Sequence, residues 1–478
     1  MAFNKNNIKI HEHFKVVPSS STQTTTIPFT FFDIFWIKFH PIERIFFYTL
    51  PNSQSHPSFF FQKLVPILRS SLSLTLQHFL PLAGKIVWPS ESQQPKIQYT
   101  TNDGVSLLIA ESDADFSHVI ENSPHEASLS RSFLPHLEST DSSASIISIQ
   151  ITLFPKSGFS IGISTHHAGL DGKSSTMFMK AWAYLCHKII ETKEESPTLL
   201  PELEPLFDRE VIKDPNELGV TFTNSWTEII STIFPSEKGN EHSLNILHFE
   251  PKLEDSVRAT FNLTREDLNK IKQMVLSKWE FYDTNESYSK PQTLSSFVLT
   301  CAYSLVCYAK AIHRADMEKE KFSFAFTVDC RARLEPPIPS NYFGNCVWGN
   351  FISTQPLDFI KKDGVFLVAK CIYEKIKMIN ENGVLEGAIN DGYDKYNYLI
   401  NEGFGVFGVS GSNRFGVYET DFGWGRPKKV EIVSVDRGLT IGFAESKDGN
   451  GGVEIGLVLN KHVMDLFSNL FLEGLCSN

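Results

Sequence analysis

The chain has 478 residues, of which 41% are hydrophobic and 21% are charged, a composition that is typical of a globular protein and excludes wholesale disorder. Single cores stop growing near roughly 250–300 residues, so a chain of this length predicts two domains. The net charge of −11 at pH 7 argues against a general nucleic-acid-binding protein, which needs a basic surface.

Targeting signals and metal-ligand patterns are not evident in the sequence. The start, MAFNKNNIKIHEHFK, lacks the apolar run of a secretory signal, and no segment approaches the roughly 18 uninterrupted apolar residues of a membrane span. The seven cysteines are scattered without a Cys-x-x-Cys pair, so we expect reduced thiols and no metal site. These features predict a cytoplasmic protein that binds neither membranes nor nucleic acid.

The first half of the chain is predicted to contain two helices and a hairpin. Apolar residues at helical spacing indicate a helix over residues 59–80, which Pro66 starts or kinks. Two β-rich runs around Pro-Lys-Ser-Gly indicate a hairpin over residues 144–166, and residues 174–190 again have helical spacing.

The second half is predicted to contain three helices and another hairpin. Helices are predicted over residues 264–277, after a capping-box-like Thr-Arg-Glu-Asp, over residues 294–312, which are mostly apolar, and over residues 462–476. The hairpin covers residues 438–460 around Asp-Gly-Asn-Gly-Gly. Helices and strands do not alternate strictly in either half, which favours mixed sheets over a doubly wound parallel sheet.

The segment between the two halves differs in composition. Residues 191–218 are rich in Glu, Asp and Pro and have no clean periodicity, which indicates a solvated crossover. We therefore predict an N-terminal lobe over residues 1–190, a linker over residues 191–218 and a C-terminal lobe over residues 219–478.

A histidine and an aspartate follow the predicted strand 159–165 in the sequence His-His-Ala-Gly-Leu-Asp-Gly. The two glycines argue against a helix, so His167 and Asp171 are expected on a loop at a strand end, where functional residues are common. A histidine there can accept a proton at neutral pH, and the aspartate can hold the loop or orient the imidazole. The alternative is a packed histidine beside a turn-capping aspartate, and spacing alone leaves both open.

Three glycines, Gly403, Gly405 and Gly408, match the Gly-x-Gly-x-x-Gly pattern of dinucleotide-binding proteins. That fingerprint requires a following helix, whereas the residues after Gly408 have the composition of loop and strand. We therefore expect no nucleotide cofactor at this position.

Three motifs give the chain a resemblance to a known family. His167-x-x-x-Asp171-Gly172 resembles the HxxxDG signature of the plant BAHD acyltransferases, which are acyl-CoA-dependent. Asp421-Phe-Gly423-Trp424-Gly425 matches their DFGWG signature, and residues 342–346 resemble the YFGNC motif of the flavonoid-glucoside acyltransferases. The resemblance covers essentially the whole chain and is strongest to the flavonoid and phenolic glucoside malonyltransferases. Gly169 is a departure, because many relatives have a larger residue there.

The resemblance implies a fold and a reaction. The fold class is α/β, with two chloramphenicol-acetyltransferase-like lobes, mixed β-sheets and a channel between them. The implied reaction moves a malonyl group from malonyl-CoA to a sugar hydroxyl of a flavonoid glucoside, with no covalent enzyme intermediate. The expected partners are an acyl-CoA and a flavonoid glycoside, with no other cofactor, and the protein is expected to be a monomer. Transfer of an aromatic hydroxycinnamoyl group and a non-catalytic binding relative remain alternatives.

The resemblance also implies roles for residues of the motifs. His167 corresponds to the general base, and Asp171 to an aspartate that points away from the substrates and pairs with an arginine, for which Arg331 is a candidate. Structural roles are implied for the remaining motif residues, which are Gly172, Asp421, Gly423, Trp424 and Gly425.

Residues outside these signatures are candidates for contacts with the substrates. Lys173 is the first candidate for the malonyl carboxylate, which needs a cation, and Arg333, Arg414 and Arg426 are alternatives. The acceptor candidates are Asp33, Trp36 and Phe404, and core packing is the alternative for the two aromatic residues. The CoA candidates are Lys290, Ser295 and Ser296 near a predicted helix start, which suits a phosphate. Backbone N–H groups near Gly172 or Asn345 are hypotheses for the oxyanion donors.

Overall fold

The computed structural model describes residues 8–20, 24–89, 91–92, 94–214, 217–233, 243–246, 255–282, 291–315, 322–354, 359–386 and 405–476. These residues form two large β-sheets and a small one, with helices packed against them. The first large sheet has six strands in the spatial order β1 (Ile8–Val16), β6 (Val105–Ser112), β9 (Ile147–Phe154), β10 (Gly158–Thr165), β3 (Ile42–Thr49) and β15 (Lys429–Ile432).

The second large sheet has seven strands in the order β13 (Val347–Thr354), β12 (Phe322–Asp329), β14 (Gly405–Ser412), β16 (Thr440–Glu445), β17 (Val453–Asn460), β11 (Ser256–Leu263) and β7 (His125–Glu126). The small sheet has the order β2 (Thr25–Pro28), β5 (Lys96–Tyr99), β4 (Lys85–Val87) and β8 (Ser143–Ser145). Strand β9 pairs in parallel with β6, and β14 pairs in parallel with β12 and β16, whereas the other named pairs are antiparallel. The sheets are therefore mixed, as predicted.

The helices in chain order are α1 (Phe31–Phe35), α2 (Pro57–Phe59), α3 (Val65–His78), α4 (Phe116–Ile120), α5 (Ala127–Arg131), α6 (Gly172–Thr192), α7 (Leu218–Ile233), α8 (Arg265–Tyr282), α9 (Ser296–Arg314), α10 (Gly364–Asn382) and α11 (Lys461–Cys476). A π-helical turn, Phe60–Leu64, joins α2 to α3. Each helix predicted from periodicity is present. Pro66 follows this π-helical turn, where its missing N–H interrupts the backbone hydrogen bonds of an otherwise continuous helical segment.

The helix after the His-His-Ala-Gly-Leu-Asp-Gly sequence begins at Gly172, two residues earlier than predicted. The glycines suggested that the loop would extend further, but Asp171 accepts a hydrogen bond from Ser174 N at 2.8 Å and caps the helix. The first turn of α6 therefore starts directly beside the predicted functional residues. Gly405 and Gly408 lie in strand β14 and not before a helix, while Gly403 lies outside the described residues.

Two strands cross the predicted boundary between lobes. Strand β7, from the first half of the chain, pairs with β11, and β15, from the second half, pairs with β3. A buried ionic cluster lies where they cross: Glu431 contacts Lys429 at 3.1 Å and Arg258 at 3.9 Å. Burial alone would raise the pKa of Glu431, but these two cations and His125 lower it to about 2. The division at residues 191–218 remains a prediction, and each sheet includes a strand from the other half of the chain.

The crossover itself is less solvated than predicted. Its described residues include a short 3₁₀ helix, Pro201–Leu203, and Leu206 forms a parallel bridge with Tyr342. Leu199, Arg209 and Ile212 are buried. The segment therefore has a buried side as well as an exposed acidic side, and these three buried side chains attach it to the rest of the protein.

Within the described ranges, only helix α9 is long and apolar enough to cross a membrane. Of its most apolar window, 78% is buried inside the protein. This is weak evidence for a membrane span, because core helices of globular proteins have the same length and composition.

Candidate active site

The site is built on the loop between strand β10 and helix α6. Thr165 at the end of β10 pairs with Ile42 of β3, so the loop starts from a strand that is hydrogen-bonded on both sides. A steric contact explains why residue 169 is a glycine, because a Cβ there would lie 2.7 Å from Ile146 Cγ2. The loop therefore packs closely against Ile146, which lies between strands β8 and β9.

His167 stacks flat on an aromatic ring. Its imidazole lies parallel to the indole of Trp36, with ring centroids 4.0 Å apart and an interplanar angle of 9°. Its backbone carbonyl accepts a hydrogen bond from Asn345 Nδ2 at 2.9 Å. The Nδ1 atom is buried with no hydrogen-bond partner in the described chain, whereas the residue as a whole is partly exposed. Proton exchange with a ligand therefore has to use Nε2.

The surroundings of His167 keep the imidazole neutral. Desolvation is the main cause that lowers the pKa of His167, to about 3, and the neighbouring His40 and His166 act in the same direction. A neutral imidazole has a free lone pair and can act as a base at ordinary pH.

Asp171 holds the loop and does not orient the imidazole. Its Oδ1 caps α6 through Ser174 N, and its Oδ2 lies 2.9 Å from Arg331 Nη2 and accepts a bond from Cys346 N at 3.1 Å. The pairing with Arg331 that the resemblance suggested is therefore present. Both oxygens of this 1% exposed carboxylate are engaged away from His167.

Arg331 joins two parts of the chain that are far apart in sequence. Its guanidinium, which is 2% exposed, also donates to the carbonyl of Tyr342 at 3.1 Å and to that of Gly344 at 3.2 Å. It forms another ion pair with Asp329 at 3.0 Å. The buried cation therefore fixes the loop of residues 342–346 against the start of α6.

The structure assigns Asp33 a role other than substrate binding. Its Oδ2 accepts bonds from Thr30 N and Oγ1, both at 2.9 Å, and its Oδ1 accepts from Asn345 N at 3.2 Å and Nδ2 at 3.1 Å. Asp33 is 1% exposed, so it supports the site from inside the protein. The hypothesis that the Asn345 N–H binds an oxyanion is wrong, because Asp33 already accepts its hydrogen.

Arg209 belongs to this support network and was missed by the sequence. Its Nε lies 3.7 Å from Asp33, and its Nη1 donates to the carbonyl of Phe343 at 2.6 Å. Gly344 has φ +152°, and a Cβ there would lie 2.6 Å from the Arg209 guanidinium. The positive φ and this contact both favour glycine at this position of the Tyr-Phe-Gly-Asn-Cys sequence. Nothing in the acidic crossover pattern distinguished Arg209 from a solvated charge.

The other predicted residues are distributed around this centre. Lys173 pairs with Asp329 at 3.3 Å. Ser295 caps α9 by accepting from Val298 N at 3.3 Å, and Ser296 accepts from Asn413 Nδ2 at 2.9 Å. Lys290 and Phe404 lie outside the described residues.

The Asp-Phe-Gly-Trp-Gly sequence forms a turn. Asp421 Oδ1 accepts from Gly423 N at 2.8 Å and from Gly425 N at 3.0 Å, and both glycines have positive φ, 101° and 94°. Trp424 contacts Phe159 of β10 edge-on. The geometry is that of a structural element next to the sheet that holds His167.

Comparisons with known proteins agree with these features. A sequence profile described as the Transferase family matches residues 6–473. Phenolic glucoside malonyltransferase 1 of Arabidopsis thaliana is 41% identical over 477 residues, 98% of each chain. Malonyl-CoA:anthocyanidin 5-O-glucoside-6''-O-malonyltransferase of the same plant is 36% identical over 98% of each chain.

A solved structure tests the fold. The crystal structure of vinorine synthase matches with a TM-score of 0.64 and 19% sequence identity, over 96% of each chain. At that identity the likeness shows the fold alone. It confirms the predicted α/β class with chloramphenicol-acetyltransferase-like lobes.

We expect Asp171→Asn to reduce stability and turnover together. The amide can still cap α6, but the buried Arg331 cation loses one of its two carboxylate partners and keeps only Asp329. Breaking a buried ion pair completely typically costs about 3–5 kcal/mol, which is the upper limit for this variant. Thermal unfolding and kcat are measured on the same preparation. Glu419→Gln is the control, because it breaks an exposed pair with Lys180 and should cost about 1 kcal/mol or less. Lost turnover with an unchanged unfolding temperature would show that Asp171 acts in the chemistry and not in the scaffold.

We expect the acid limb of kcat/KM to lie well below the ordinary imidazole value of about 6.5. Only the neutral base is active, so a lowered pKa of His167 moves the loss of activity to lower pH. Initial rates are measured from pH 8 to pH 4, with reassay at pH 7.5 to separate titration from acid unfolding. A reversible limb centred near pH 6.5 would contradict the neutral, desolvated imidazole.

Proposed function

The chain belongs to the Transferase family of BAHD acyl-CoA-dependent acyltransferases, and we propose that it transfers a malonyl group from malonyl-CoA to a sugar hydroxyl of a phenolic or flavonoid glucoside. The observation that carries this proposal is the 41% identity, over 98% of both chains, to a phenolic glucoside malonyltransferase. We also expect a cytoplasmic monomer that uses the acyl-CoA as co-substrate and needs no further cofactor.

The proposed reaction is a single displacement at the thioester. The oxygen of the sugar hydroxyl attacks the thioester carbonyl while His167 Nε2 takes the hydroxyl proton. This step gives a tetrahedral oxyanion and an imidazolium. When the intermediate collapses, the carbon–sulfur bond breaks and the imidazolium returns the proton to the CoA thiolate. General-base assistance of this kind contributes roughly 10²–10⁴ in rate.

Buried thiols near the site favour direct transfer over a covalent enzyme intermediate. Cys330 and Cys346 lie on neighbouring strand ends, where Cys330 N donates to the carbonyl of Cys346 at 2.8 Å. Burial raises the pKa of both thiols well above their usual value. They are therefore protonated at neutral pH and poor nucleophiles.

Two cationic side chains in or beside the first turn of α6 are candidates for binding the malonyl carboxylate. Lys173 is about one-third exposed and shares its charge with Asp329. Arg44, which the sequence did not single out, is 3% exposed and donates to Thr176 Oγ1 at 2.9 Å. Burial lowers the pKa of Arg44 to about 10, which a nearby Glu445 opposes. Lys173 is the first choice because a ligand can reach it without displacing a core side chain.

A competition assay tests the function. Purified protein is offered equal malonyl-CoA and coumaroyl-CoA with a flavonoid glucoside, and products are identified by mass spectrometry. We expect malonylated product in excess, and a loss of about 10²- to 10⁴-fold in His167→Ala, as removal of a general base predicts. Preference for coumaroyl-CoA would replace the malonyl proposal by an aromatic one. Full activity of His167→Ala would show that another group is the base, whereas no turnover of the wild type with either acyl-CoA would support a binding protein.

Lys173→Met should raise KM for malonyl-CoA by about 10- to 150-fold, since one charge-assisted hydrogen bond contributes roughly 1.5–3 kcal/mol. KM for acetyl-CoA, which has no carboxylate, should stay within about twofold. Arg44→Met is measured beside it. Selective loss of malonyl-CoA affinity in the Arg44 variant but not in the Lys173 variant would show that the Lys173 assignment is wrong.

A further inference from the structure

The stack of His167 on Trp36 is unlike the other ring contacts around Trp36. The indole meets Phe35 and Phe39 edge-on, at interplanar angles of 77° and 67°, but it meets the imidazole flat, at 9° and 4.0 Å. Uncharged aromatic rings prefer edge-on or offset arrangements over direct stacking. A cation, in contrast, is attracted to the face of an aromatic ring, and most strongly to that of tryptophan.

The proposed reaction creates such a cation. When His167 accepts the hydroxyl proton, an imidazolium forms in surroundings that disfavour charge. In the described parts of the chain, no carboxylate forms an ion pair with it, because Asp171 faces Arg331 and Asp33 faces Asn345. The titratable groups that act on His167 are His40 and His166, which both disfavour a positive charge. The face of Trp36 is the electron-rich surface that the imidazole contacts.

We propose that Trp36 is a positioning residue that holds the His167 imidazole flat and stabilises the imidazolium formed during acyl transfer through a cation–π contact. This inference rests on the proposed function only in that His167 must be the catalytic base. It does not depend on which acyl group is transferred. The contact acts on the charged state of the ring and contributes little to binding of either substrate. Its loss therefore lowers kcat by about 2- to 30-fold, the range of a cation–π contact, and leaves KM nearly unchanged.

The most direct test changes the electron density of the indole without changing its shape. Tryptophans with one, two and three ring fluorines are incorporated at position 36, and kcat and KM are measured with the acyl-CoA and acceptor that give the highest turnover. The logarithm of kcat should fall steadily with fluorine number while KM stays within about twofold. An unchanged kcat across the series would overturn the proposal and leave Trp36 as a packing residue.

Trp279 of helix α8 provides a matched control. It is also buried, its Nε1 also has no partner in the described residues, and its contacts with Phe366 and Tyr373 are edge-on at 88°. The same fluorination at Trp279 should leave kcat unchanged. A parallel loss at both positions would show a general effect of fluorination on the fold and would overturn the specific role of Trp36.

The indole N–H of Trp36 needs a separate control, because it is buried and without a partner in the described chain. Replacing Trp36 by benzothienylalanine keeps the two-ring face and removes the N–H. We expect at least half of the wild-type kcat. A loss larger than that of the trifluorinated variant would contradict the cation–π role and indicate a hydrogen bond to the substrate.

A readout independent of turnover separates this inference from the proposed function. Carbon-13 NMR of the His167 imidazole is followed through the same fluorinated series, with the other histidines assigned by substitution. The pKa of His167 should fall with each fluorine, because the cation loses stabilisation. A pKa that does not change would overturn the inference even in an active enzyme, whereas a pKa that falls in a protein without malonyl transfer would support it and reject only the donor assignment.

Discussion

The ion pair between Asp171 and Arg331 is the constraint on which the rest of the site depends. It joins the start of helix α6 to the loop of residues 342–346, and both partners are almost completely buried. A buried pair contributes little net stability compared with an apolar pair, but removing Arg331 leaves the buried Asp171 carboxylate without the cation that it pairs with. We therefore expect the pair to fix the position of these two segments relative to each other more than to add net stability.

The residues around His167 position different parts of it. The aspartate of the histidine loop holds the backbone, while Asn345 fixes the carbonyl of His167 and Trp36 fixes the plane of its ring. Desolvation then keeps the imidazole neutral until a substrate presents a proton. The imidazolium that forms during transfer needs stabilisation, and the indole face supplies it with a smaller rise in the pKa of His167 than a neighbouring carboxylate would cause.

The sequence predicted the parts of this arrangement that are local. Helical spacing and capping residues located the helices, and the motif around His167 identified the loop, because these signals depend on residues close together in the chain. Contacts between residues that are far apart in the sequence could not be predicted in the same way. Arg209 looks like one more charge in an acidic linker, and Arg44 looks like part of an apolar strand, because their burial depends on segments far away in sequence. Asp33 was assigned to the substrate for the same reason, since its partner Asn345 lies more than 300 positions later.

A double-mutant cycle between Asp171→Asn and Arg331→Gln, measured on kcat/KM and on thermal unfolding, tests the central claim most directly. If the pair acts as one unit that positions His167, the two substitutions are strongly non-additive, and the double variant is no worse than either single variant. Additive losses in both quantities would contradict this account, because they would mean that each residue acts on the site independently of the other.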